Sequence, residues 1–104
     1  MAKAEIFPGT CGYNTVVQAV KNEDDTVHLN ITSDCNAIRK MAAELTEVDP
    51  MQHLSARRQV PPILQVGLKY CTHAACPVPV GIIKAVEVAA GLNVPVDVSI
   101  KISK

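Results

Sequence analysis

The sequence has no tryptophan, two tyrosines and one phenylalanine. A core built from it must be mostly Val, Ile, Leu and Ala, and there is no aromatic platform on which nucleic-acid bases could stack. An excess of one charge is also missing, since ten basic residues balance ten acidic ones. With neither a basic stripe nor stacking rings, nucleic acid is not an expected partner. No apolar run approaches the roughly 20 residues of a membrane-spanning helix. The opening Met1-Ala2-Lys3-Ala4-Glu5 lacks the apolar stretch of a signal peptide. The expectation is a cytoplasmic protein with no membrane partner, in which Asn30-Ile31-Thr32 is strand sequence rather than a glycosylation acceptor.

Several catalytic patterns are absent too. No serine–histidine–carboxylate set is suggested, and no two carboxylates stand out for acid–base work. Gly9 and Gly12 are too few and wrongly placed for a phosphate loop. Glu23-Asp24-Asp25 has too few ligands for calcium and reads as a solvated turn. An enzyme of this sequence could only be a thiol chemist.

What the chain does have is a high apolar content, 48% over 104 residues, enough for one domain with a real core. Residues 3 to 7 and 14 to 22 read as strands separated by the Pro8–Gly12 loop. Residues 26 to 32 alternate cleanly, with Val27, Leu29 and Ile31 on one face and His28, Asn30 and Thr32 on the other. Ser33-Asp34 suits a helix start, and Ile38, Met41, Ala42 and Leu45 form the core face of the helix that follows. Residues 49 to 60 suggest a helical turn around Met51 to Ala56, with His53 in solvent. Pro61-Pro62 opens a short helix to Tyr70. Pro77 opens another, which Gly91 stops. Val96, Val98, Ile100 and Ile102 alternate with Asp97, Ser99, Lys101 and Ser103 as a last strand. The fold expected is a single α+β domain over residues 1–104. It is a two-layer sandwich with a four-stranded, mainly antiparallel sheet and two to three helices on one face (β-β-β-α-α-α-β).

The chemistry lies in the thiols. Four cysteines in a cytosolic chain point to reduced thiols in metal, redox or sulfur chemistry rather than to structural disulfides. Cys71 and Cys76 bracket His73, and the paired C-x-x-C spacings of zinc ribbons are absent. If successive elements alternate up and down, Cys11, Cys35, Cys71, His73 and Cys76 all fall at one pole, with His53 at the other. Four soft ligands, or three with His73, match zinc or an iron–sulfur cluster. Cys35 and Cys76 also sit at expected helix starts, where unpaired amides favour a thiolate. The bland alternative is that the cysteines are small core hydrophobes, His73 a helix-end hydrogen-bonder, and the protein a scaffold dimerising through its open sheet face.

Two resemblances follow from these residues. Cys76-Pro77-Val78-Pro79 resembles the C-P-x-P motif of the sulfur-carrier proteins, which implies a persulfide-carrying Cys76 with Cys71 or Cys35 as resolving partner. Those carriers place the motif after their first strand, whereas here it precedes the last expected one. The stretch from Asp34-Cys35 through Cys71-x-His73-x-x-Cys76-Pro77-Val78-Pro79 to Gly91-Leu92-x-x-Pro95-x-Asp97 is similar to a family of small uncharacterised proteins of anaerobic bacteria and archaea. That resemblance implies an oxygen-free setting for the thiols and no particular activity.

Overall fold

The computed structural model describes all 104 residues. Three antiparallel strands open the chain: β1 (Ala2–Ile6), β2 (Thr15–Lys21) and β3 (Val27–Ser33). The register opposes Ala4 to Val17 and Val17 to Ile31, so one face collects Ala2, Ala4, Val17, Ala19, Val27 and Leu29. Burial of this face fixes the register, because a slip of one residue would turn every apolar side chain outward. The other face carries Lys3, Glu5, Gln18, His28 and Asn30. At the rim, the buried Thr15 hydroxyl hydrogen-bonds Ser33 Oγ at 2.8 Å and pins the start of β2 to the end of β3. The β2–β3 turn places Asp25 at φ +69°, a left-handed conformation that Asp tolerates better than most residues.

Helix α1 (Asn36–Glu44) packs under β3 and buries Ile38 and Met41. Two residues separate its end from β4 (Glu47–Val48), a two-residue edge strand in which Val48 faces Val27. The sheet order is β1-β2-β3-β4, the expected four-stranded antiparallel α+β arrangement. Its fourth strand, however, comes from residues 47–48 and not from the alternating stretch near the C-terminus. Residues 91–104 form no strand, and every one of them is exposed. Alternation alone makes a strand only where a free edge is in reach, and this segment leaves the body instead.

At the start of α1 Ser33, one of the two expected capping residues, supplies the side-chain acceptor. Asp34 makes no cap bond, while Ser33 Oγ accepts the Cys35 N–H at 3.1 Å. Residues Pro50–His53 form a single 3₁₀ turn, capped by Asp49, whose carboxylate accepts the Met51 N–H at 3.0 Å. His53, expected in solvent, is 5% exposed. Its Nδ1 bonds the Asp49 carbonyl at 2.8 Å, which leaves Nε2 to accept the Ile63 N–H at 3.1 Å. Helix α2 (Pro62–Tyr70) has no side-chain cap of its own. His53 therefore satisfies a first-turn amide that would otherwise be orphaned.

Helix α3 (Val78–Ala89) lies under β1 and β2, and Gly91 at φ +76° gives the expected left-handed stop. Helix α2 packs on α1 and α3, on the side away from the sheet. Strict up-and-down alternation fails there, because α2 crosses α1 so that Lys69 and Tyr70 both bond the carboxylate of Glu44, the last residue of α1. The α2–α3 crossing is close at Gly67, where an added Cβ would lie 2.9 Å from Pro79 Cγ and 3.3 Å from its Cβ. The proline ring cannot swing away. Gly67→Ala is expected to destabilise by about 1–2 kcal/mol, since overpacking outweighs the helix-propensity gain of about 1 kcal/mol. Urea unfolding at equilibrium is the check.

Candidate functional site

Three thiols from separate segments meet between the start of α1, the end of α2 and the start of α3. Cys35 is the residue before α1, Cys71 ends α2, and Cys76 precedes Pro77 at the head of α3. All three are free, half-buried and packed against the core. The Cys71 N–H continues the helix by donating to Gly67 O at 2.8 Å, which fixes its direction. A tight loop then brings Cys76 back, with its N–H on the His73 carbonyl at 3.4 Å.

The Cys71 thiol donates to Met41 Sδ at 3.6 Å, beneath the site. Burial pushes its pKa up to about 11, with further contributions from the charge and hydrogen bond of Cys76 and from the charge of Cys35. At neutral pH Cys71 therefore keeps its proton and is the donor of the group. After burial, Cys71 feels the charge of Cys76 first and that of Cys35 last, which places both thiols in its neighbourhood.

The remaining expected ligands stand differently. Cys11 lies in the loop between β1 and β2, exposed, outside the packed core and without influence on Cys71. His73 is exposed and lines a hollow of about 240 Å³ with Cys71, Cys76, Leu64, Leu68 and Val80. Of the five residues proposed from sequence, the fold thus gathers Cys35, Cys71 and Cys76 and sets His73 beside two of them. As they stand, no three His, Cys, Asp or Glu side chains are drawn around a common point at metal-ligand spacing. A larger, open concavity of about 580 Å³ is walled by Asn22, Glu23, Asp24, Thr26 and Glu47. Two of its three carboxylates are engaged locally: Asp24 with Thr26, and Glu47 with Asn22 and His28.

Sequence reasoning missed Met41 as a thiol neighbour. The only available signal was its place on the core face of α1. It also missed Glu44, whose carboxylate is held below its ordinary range by hydrogen bonds from Tyr70 and Lys69 that tie α1 to the thiol-bearing end of α2.

The family of unknown function DUF6951 matches residues 2–102. The chain belongs to that family. The DUF6951 match takes in the whole sheet, the three helices, all four cysteines and the exposed segment after Gly91. No curated protein and no solved structure matches the chain. No helix is long and apolar enough to cross a membrane.

Proposed function

We propose that this DUF6951 protein binds a soft metal centre, a zinc ion or an iron–sulfur cluster, through Cys35, Cys71 and Cys76, with His73 as the fourth donor. The observation that carries this reading is that free, half-buried Cys35 at the start of α1 and the two thiols of the α2–α3 loop lie near enough for the charges of Cys35 and Cys76 to bear on Cys71. Thiolate and imidazole donors of this kind suit tetrahedral zinc or a cluster iron. Binding would require the Cys71–Cys76 loop to close inward, since the side chains stand wider than a coordination sphere. Cys11 is not needed as a ligand in this arrangement.

Metal analysis of protein purified without oxygen tests it. A near-stoichiometric metal content is expected, lost in Cys71→Ser and Cys76→Ser and kept in Cys11→Ser. Metal-free protein that also fails to take up cobalt(II) with a thiolate charge-transfer band overturns it. The raised pKa of Cys71 sets the pH dependence. Metal binding must displace that proton, so between pH 6 and 8 the apparent affinity is expected to rise by at least about tenfold per pH unit.

One observation favours a second reading. Among charged neighbours, Cys76 bears most on the Cys71 thiol, and a protonated thiol set beside Cys76 suits sulfur transfer. The Cys76 thiolate would attack the outer sulfur of a donor persulfide, form a persulfide on Cys76 and release the donor thiolate. Mass spectrometry after incubation with a persulfide donor separates the readings. One added sulfur on Cys76 supports transfer, and an unmodified Cys76 beside a filled metal site excludes it.

A further inference from the structure

We propose that the exposed segment after α3 is a strand donated in trans, and that residues 96–102 pair with the β1 edge of a second copy of this chain to form a symmetric dimer. Strand β1 is the last in the sheet order and bonds β2 on one side only. Its other edge presents unpaired backbone groups, which proteins normally shield or pair. The opposite edge is β4, only two residues long. The molecule therefore has a five-residue free edge at β1 and one unpaired segment with strand periodicity.

The segment cannot be resting in its final state as an isolated arm. Val96, Val98, Ile100 and Ile102 are 72%, 58%, 73% and 91% exposed. No backbone hydrogen bond joins residues 97–104 to the rest of the chain. After Gly91 the chain continues outward with every residue exposed, so it does not return to its own β1. The family match nevertheless runs through the segment to residue 102.

The two partners match in face and charge. On β1, Ala2 and Ala4 face the helices while Lys3 and Glu5 face out. A segment running parallel to β1 in the register that sets Val98 beside Ala2 also sets Ile100 beside Ala4 and Ile102 beside Ile6. The same register brings Lys101 to Glu5. A shift by one residue would turn the isoleucines to the polar face. Because each chain has one such edge and one such segment, mutual exchange closes as a two-fold pair and leaves no open end.

Light scattering on the eluting full chain, together with amide hydrogen exchange, tests this. A dimer is expected, with slowed exchange at residues 2–6 and 96–102. Removal of residues 93–104 is expected to give a folded monomer, as is the double substitution Val98→Asp, Ile100→Asp. A monomeric full chain overturns the proposal, whether its segment exchanges freely or is slowed by folding onto its own edge. A dimer that survives both variants overturns it equally.

Discussion

Replacing His53 with alanine is expected to lower the free energy of unfolding by about 3 kcal/mol, measured by denaturant titration at pH 7.5. Two losses add. The Ile63 N–H, in the first turn of α2, is left buried without its acceptor, and the imidazole leaves a void where it was 5% exposed. The same residue makes the wild-type chain acid-sensitive. Burial pushes the pKa of His53 down from its ordinary 6.5, so the unfolded chain binds a proton there more readily than the folded one. Stability is then full above about pH 6.5 and falls as the pH drops toward the lower folded-state value. His53→Ala is expected to lose that part of the slope, and an unchanged slope between pH 7 and 5 in the variant would assign the acid sensitivity elsewhere.

The second large effect is expected at Met41. Met41 is fully buried, its Sδ accepts the Cys71 thiol, and its methyl lies 3.8 Å from where a Gly67 Cβ would stand. Met41→Ala removes packing between α1 and α2 and is expected to cost about 2–5 kcal/mol, depending on how far the core relaxes. Met41→Leu keeps the volume and is expected to cost less than about 1.5 kcal/mol. It nevertheless removes the sulfur acceptor, so the pH at which Cys71 becomes alkylatable is expected to shift in Met41→Leu at nearly unchanged stability. If that pH does not move, Met41 serves Cys71 only as packing.

The strands and helices were legible in the sequence where local pattern and burial agree. Val27, Leu29 and Ile31 alternate on a half-buried face, and Ile38 and Met41 follow a helical stripe, so β3 and α1 could be read directly. The C-terminal stretch alternates as well as β3 does, but pairing is a property of the edge it meets, which no local pattern encodes. His53 was misplaced for a related reason. Its burial depends on the α2 amide it accepts from, ten residues on. At the thiol site, counting chain direction expects Cys11, Cys35, Cys71, His73 and Cys76 at one pole; the structure sets Cys35 and Cys76 near Cys71, while α2 departs from the strict alternation on which that count rests. Cys11 shows the limit of that counting, since it specifies an end of the fold and not a position on it.

Helix α2 touches α1 and α3 but stands off the sheet, and Cys71 is its last anchor before the loop. Detaching one outer helix costs less than melting the whole domain. Solvent and reagents can therefore reach the Cys71 sulfur through a brief local opening while the β-sheet stays formed. How readily a reagent reaches the Cys71 sulfur is set by how often that helix lifts, and the endurance of the fold is set by a different part of the molecule.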